Sequence, residues 1–268
     1  MDILSIRNLK NSLQIILAGT LFLGSVIQAT ESTKEIMLEN IKSNRNDREI
    51  LARLLPIVKC SFAPTQYEQI LMTGLRDKET QTKQFRELTN KLAGLLISKV
   101  VEALSIETFE IDTPLTKCKG YALDAPIEFV SVMRAGDSIL ETFMEHFPEA
   151  SVTKILVQRD EETAEPHFKY MKFSPAITEK SRVIITEPMI ATGGTLCMVI
   201  DLLKQKGVKE ENITIASVCT APEGLLVLCK KFPKISVVMN MMDDYLNEQK
   251  YIVPGLGDFG DRYYGTNQ

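Results

Sequence analysis

The stretch Ile185–Thr195, ITEPMIATGGT, joins an apolar run to a helical pattern through a turn filled with small residues. Phosphate binding needs several donors at short range, and this turn can supply them. Gly193 and Gly194 let the backbone approach with its N–H groups inward, Thr192 and Thr195 add hydroxyls, and a helix beginning near Leu196 adds partial positive charge. An ordinary strand-to-helix turn with Thr195 as N-cap has the same composition, so the loop alone leaves both readings open. No G-x-x-x-x-G-K-[ST] string occurs, which excludes a Walker A loop. A second glycine cluster, Gly255, Gly257 and Gly260 in PGLGDFG, fits G-x-G-x-x-G literally. Pro254 precedes it and only eight residues follow Gly260, too few for the helix of a dinucleotide-binding unit. What remains is a loop whose backbone is open to a ligand.

Two arginines stand where an anion could be met: Arg134 in VSVMRAGDSILE, at a predicted strand end, and Arg159 in QRDEETAEP, at the base of a polar excursion. Guanidinium forks match phosphate oxygens in a bidentate way, whereas a solvated surface charge is the plain alternative. The pairs Glu161-Glu162 and Asp243-Asp244 read as exposed acids rather than a general acid/base couple. Cys197 lies near a predicted helix N-terminus but reads as a buried helical thiol, and Met239-Asn240-Met241-Met242 as plastic core packing. Five widely spread cysteines with no C-x-x-C pair fit reduced thiols. The two histidines, His146 and His167, have no zinc or catalytic-dyad spacing. A net charge of −4 excludes a global positive field for nucleic acid, so an anionic ligand needs a local site.

The elements that must carry these residues follow from periodicity. Phe85, Leu88, Leu92, Leu95, Leu96, Val100 and Leu104 recur at helical spacing, predicting an amphipathic helix over 80–104. Short β-branched runs at 127–133, 153–158, 182–186, 213–219 and 235–239 predict buried strands, with helical patterns at 137–146, 195–206 and 222–231 between them. This alternation implies an α/β fold, a mostly parallel sheet flanked by helices. Residues 158–175 read as a projecting hairpin flap. Residues 1–59 are expected to form an N-terminal extension and 60–268 the main domain. Arg7 and Lys10 before the apolar stretch at 13–29 look like a secretory signal, with an amphipathic or buried helix as the alternative; Gly19, Thr20 and Gly24 interrupt it too much for a stable membrane span. Asn212-Ile213-Thr214 is a formal glycosylation sequon at the start of a predicted strand.

Taken together and in order, LRDKETQTKQFREL, the two arginine strings, EPMIATGGT and YIVPGLGDFGDRYYGT resemble the uracil-type members of the type I phosphoribosyltransferase family, from about Gly74 to Thr266. The resemblance implies a type I phosphoribosyltransferase-like fold binding phosphoribosyl pyrophosphate (PRPP). Glu187, where the family usually has Asp, would meet the ribose hydroxyls; Ala191, Thr192, Gly193, Gly194 and Thr195 would hold the 5′-phosphate, with Pro188, Met189 and Ile190 in the same binding run. Arg134 and Arg159 would contact PRPP. Ile252, Gly257, Asp258 and Phe259 would line the uracil pocket, the main chain reading the base, and Asp258 would also face PRPP. Phe259 stands where bacterial members carry Ala. Arg76 and Arg86 occupy familiar places without a catalytic role.

The implied reaction is uracil plus PRPP giving UMP and diphosphate, with no side-chain nucleophile and with Mg2+ held mainly by PRPP. The resemblance further implies a homodimer or larger assembly, admits GTP as an effector, and suits a cytoplasmic enzyme, against which the N-terminal stretch hints at export. A nucleotide-binding or regulatory protein with reduced or no turnover is the alternative, supported by Glu187. Orotate would demand an extra cation near Gly257–Phe259, for which Arg262 is the nearby candidate.

Overall fold

The computed structural model describes residues 53–54, 56–60, 63–159 and 166–266. The stretch at 13–29, nearly all of the expected 1–59 extension and Glu161-Glu162 lie outside them. Helix α1 (Gln66–Arg76) opens on a capping box, in which the Thr65 hydroxyl accepts from Glu68 N–H while the Glu68 carboxylate accepts from Thr65 N–H. Helix α2 (Thr82–Glu102) matches the expected amphipathic helix to within two residues at each end and buries Phe85, Leu92, Leu96 and Val100. Next comes a hairpin that periodicity did not signal, β1 (Ile106–Asp112) and β2 (Lys117–Leu123), which among the described residues pair only with each other. Every residue of β1 is exposed, so no buried face wrote an apolar pattern into it.

The central sheet is formed by β3 (Ile127–Met133), β4 (Ser151–Arg159), β5 (Pro166–Lys172), β6 (Arg182–Thr186), β7 (Met189–Ile190), β8 (Ile213–Thr220) and β9 (Ser236–Met242). In space the order is β5-β4-β3-β6-β8-β9, with the short β7 continuing the line of β6 beside β8. All pairings are parallel except β4 with β5. That exception is the expected hairpin: β5 runs back along β4 from Pro166 opposite Arg159.

Residues alternate between the two faces. Val183, Ile185, Ile213, Ile215, Val237 and Met239 join one core with α4 (Gly194–Gln205) and α5 (Pro222–Lys231). Ile184, Ala216, Val218 and Val238 join the other with α1, α2 and α3 (Asp137–His146). Burial on both faces explains why β8 reads as a continuous apolar run. Upstream, Leu54, Ile57 and Val58 are buried in the α4–α5 core, and Val58 bridges to Val237. The chain closes with β10 (Tyr245–Leu246), β11 (Ile252–Val253) and the short helix α6 (Phe259–Tyr264). Asn212 of the sequon donates to the Glu179 carbonyl at 2.9 Å and accepts from Arg182, so its amide is engaged in packing.

Candidate active site

The candidate residues gather at the carboxyl ends of the parallel strands, where open α/β sheets leave a crevice. Glu187 and Pro188 leave β6 but stay on the sheet: Glu187 N–H donates to the Ala216 carbonyl at 3.2 Å, and the Pro188 carbonyl accepts from Val218 and Cys219. Met189 and Ile190 pair with Cys219 and Thr220 before the chain turns into α4. The N-cap of α4 is Gly193, with φ +77°, and Thr195 lies inside the first turn. The plain-turn reading with Thr195 as the cap therefore does not describe this loop. Thr192 Oγ1 accepts from Gly194 N–H at 3.4 Å.

Gly193 is required by packing as well as by φ, since a Cβ there would stand 2.9 Å from the Gly224 carbonyl oxygen. The contact is reciprocal: a Cβ on Gly224 would stand 2.2 Å from the Ala191 oxygen. The loop and the start of α5 thus touch backbone to backbone, and Ala221 N–H donates to the Ile190 carbonyl at 2.8 Å. Burial raises the pKa of the Cys197 thiol, in keeping with an inert helical cysteine.

Arg134 follows β3 directly. Its side chain is more than half exposed, pairs with Asp261 of α6 at 3.0 Å and lies over the Tyr264 ring. Tyr264 donates its hydroxyl to the Arg134 carbonyl at 3.0 Å, and burial, followed by the charge of Asp137, pushes its phenol up to about 12. The Thr266 hydroxyl and then Arg134 hold the Asp261 carboxyl below its usual range. Gly136 lets this loop reach β6, because a Cβ there would lie 2.3 Å from the Thr186 carbonyl oxygen. Arg159 ends β4 at the mouth of the hairpin.

Near the C-terminus, Gly257 has φ +81° and is exposed, and Asp258 caps α6 by accepting from Asp261 N–H at 2.8 Å. The Phe259 ring points away from this open loop into the core, edge-on to Phe85 with centroids 5.1 Å apart, so the bulky side chain leaves the main chain uncovered. Ile252 is likewise buried, in β11. Arg262 donates to the Leu75, Leu256 and Asp77 carbonyls and is stacked over Phe85. That engagement commits the cation that the sequence offers to orotate. Arg86 donates to the Tyr263 carbonyl at 2.7 Å.

One expectation is corrected. Asp243 is not an exposed acid: it is 4% exposed, whereas its neighbour Asp244 is at the surface. The turn Thr220–Gly224, TAPEG, was also missed. It carries Gly224 against Ala191 and Gly193, while the Glu223 carboxylate accepts from Leu246 N–H at 2.9 Å. One turn therefore supports the loop after β6 on one side and the β10–β11 segment on the other. A Pro-Glu-Gly at a strand end was the available signal, but its importance lies in contacts with segments distant in sequence.

Residues 63–266 match the family model described as uracil phosphoribosyltransferase. The uracil phosphoribosyltransferase of Mesoplasma florum is 40% identical over 195 residues, covering 73% of this chain and 93% of that protein. The enzyme of the same name from Dictyostelium discoideum is 39% identical over 198 residues, covering 73% and 91%. Among solved structures, the AQ2163 protein of Aquifex aeolicus superposes with a TM-score of 0.69 at 29% identity, over 76% of this chain and 97% of that one.

Proposed function

The chain belongs to the uracil phosphoribosyltransferase family, and on that premise we propose how its residues carry out transfer of the phosphoribosyl group of PRPP to uracil, forming UMP and diphosphate. The observation that carries the proposal is the shared turn Thr220–Gly224. It sets the loop Ala191–Thr195 and the segment leading to Gly257 on the same end of the sheet, the arrangement needed to hold a sugar phosphate beside a base.

Displacement at the ribose C1 passes through an oxocarbenium-like state. The protein's task is then to fix the sugar, stabilise departing diphosphate and place uracil N1 against C1. In this reading Ala191–Thr195 hold the 5′-phosphate, with Pro188–Ile190 setting the approach, and Glu187 meets the ribose hydroxyls. Arg134 and Arg159 meet diphosphate oxygens. For Arg134 this requires exchange of its Asp261 partner for substrate, an inexpensive change for an exposed pair. Ile252, Gly257, Asp258 and Phe259 form the uracil pocket, with backbone N–H and C=O groups matching the base's alternating donors and acceptors. No side-chain nucleophile enters.

Magnesium belongs to the same proposal. A hard ion that keeps waters and substrate phosphate oxygens needs few protein ligands, and when bound it neutralises charge on diphosphate. Among the described residues no group of three His, Cys, Asp or Glu side chains is placed to hold a metal ion. A homodimer or larger assembly is also proposed, supported by Phe109, Ile111, Leu115 and Tyr121, which the β1–β2 hairpin leaves exposed. A GTP effector rests on the family resemblance, as does a cytoplasmic setting, which suits an intracellular donor. Among the described residues no helix is long and apolar enough to cross a membrane. The division into an N-terminal extension and a main domain is proposed alongside these, with its boundary upstream of the expected residue 60, since Leu54, Ile57 and Val58 pack in the α4–α5 core.

The test is conversion of radiolabelled uracil with PRPP and magnesium. Label in UMP is the expected result, and nucleotide binding without UMP would sink the enzymatic reading in favour of a regulatory protein. GTP titration in the same assay tests the effector.

A further inference from the structure

We infer that Arg76 and Asp243, an ion pair outside the uracil pocket itself, position the base-reading loop by clamping both peptide groups of Gly255. The inference rests on the proposed role of the Gly257–Phe259 main chain and identifies what gives that main chain its shape.

Asp243 follows β9 at the carboxyl end of the sheet, and Arg76 is the last residue of α1. The guanidinium meets the carboxylate with both terminal nitrogens, Nη1 to Oδ2 at 2.8 Å and Nη2 to Oδ1. Each partner also takes one side of Gly255. Asp243 Oδ2 accepts from Gly255 N–H at 2.8 Å, and Arg76 Nη1 donates to the Gly255 carbonyl at 2.7 Å. The three residues form a closed ring of hydrogen bonds in a largely dry setting, with the Asp243 side chain 2% and the Arg76 side chain 22% exposed. The Cys219 thiol, also buried, donates to Asp243 Oδ2 at 3.3 Å. The carboxylate is thus surrounded by donors.

Gly255 cannot be replaced in this ring. Its φ is +60°, and a Cβ would stand 2.1 Å from the Ile252 carbonyl oxygen. Two residues on, the consequence reaches the pocket. The Leu256 carbonyl is taken by Arg262 at 2.6 Å and the Asp258 carbonyl by Arg262 N–H at 3.1 Å. Gly257, between them, makes no backbone hydrogen bond to any described residue. The Arg76–Asp243 clamp at Gly255 and Arg262 beyond it thus spend the flanking polar groups on the scaffold, and the Gly257 peptide groups are presented to the base. Such a device acts first on uracil; PRPP, assigned mainly to the Ala191–Thr195 loop and reached from this segment by Asp258, is affected less.

The experiment compares wild type, Asp243→Asn and Arg76→Lys in steady-state UMP formation, varying uracil and PRPP separately. Asp243→Asn keeps the volume and removes the charge; Arg76→Lys keeps the charge and loses the fork. The expected result is a rise in KM for uracil of about tenfold or more in Asp243→Asn and a smaller rise in Arg76→Lys, with KM for PRPP within about twofold of wild type. Equal rises in both KM values, or a lower melting temperature with unchanged KM for uracil, would overturn the clamp and leave a purely structural ion pair. Where Asp243→Asn fails to fold, Arg76→Lys alone decides by the same split. Wild-type protein that makes no UMP would instead overturn the proposed function, and this inference with it.

Discussion

The loop proposed to hold phosphate and the loop proposed to read uracil sit on the same end of one sheet, yet their shapes come from different ranges of the chain. Ala191–Thr195 is built into a strand-turn-helix unit: Ile190 pairs along β8, Gly193 caps α4, and the opposing backbone is the next strand-to-helix turn at Gly224. Gly255–Phe259 runs only from the two-residue β11 into the six-residue α6. Its carbonyls are held by Arg76 and Arg262, and Arg262 in turn grips the Leu75 carbonyl across 187 residues of sequence. A phosphate is recognised by many converging N–H groups, which a helix start supplies by itself. A flat base needs a few donors and acceptors placed singly, and an irregular loop keeps such placement only when outside side chains pin it.

The contrast is broken most severely at the point where the phosphate loop does depend on a partner. Gly224→Ala drives a methyl to 2.2 Å from the Ala191 oxygen, backbone that has no rotamer to yield. We expect kcat/KM for PRPP to fall about 100-fold or more, roughly 3 kcal/mol of transition-state stabilisation, with KM for uracil changing less; steady-state kinetics with each substrate varied check this. On the other side, Arg262→Ala leaves the Leu75, Leu256 and Asp77 carbonyls without their donor. About a tenfold rise in KM for uracil is expected, with a melting temperature lower by a few degrees in calorimetry.

A smaller effect tests whether the base side depends on α1 as a support. Burial by itself would raise the pKa of Glu68, but the Lys99 ammonium, the Asn240 amide and Thr65 N–H outweigh it and hold the carboxyl below its ordinary value. A carboxyl depressed in the folded state contributes stability that is present above its unfolded pKa, about 4.3, and lost as pH falls through the folded value. Glu68→Gln should therefore lower the urea midpoint at pH 7, and the gap to wild type should close below about pH 4. A gap independent of pH would mean that the charge contributes nothing. The smallest change is expected at Glu187→Asp, which withdraws the carboxylate by about one C–C bond, on the order of 1.5 Å, and restores the usual family residue. Activity should stay within about threefold of wild type or rise, and a large loss would show the ribose assignment to be wrong.

The sheet and its helices were legible because burial on both faces of β3, β6, β8 and β9 leaves unbroken β-branched runs, while α2 buries one stripe at helical spacing. The β1–β2 hairpin was not legible for the converse reason: its pairing is satisfied locally and its side chains face out. The turn proposed to hold phosphate could be picked out from composition as a candidate, since glycines and hydroxyls at a strand-to-helix junction are local chemistry. Thr195 could not be told from Gly193 as the cap, because that depends on which peptide turns to positive φ.

What the sequence by itself determined was the alternating architecture, the glycine- and hydroxyl-rich turn after β6 and, through motifs in family order, the substrate pair. What only the tertiary structure decided was how those motifs are supported. Asp243 and Asp244 are the same residue type in succession, and successive residues along extended chain point to opposite sides. The path of the chain as it leaves β9 turns one carboxylate into the dry space beneath Gly255, where Arg76 meets it, and leaves the other in water. Nothing in the two letters distinguishes them, because the distinction is made by partners well over a hundred residues away in one case and close by in the other.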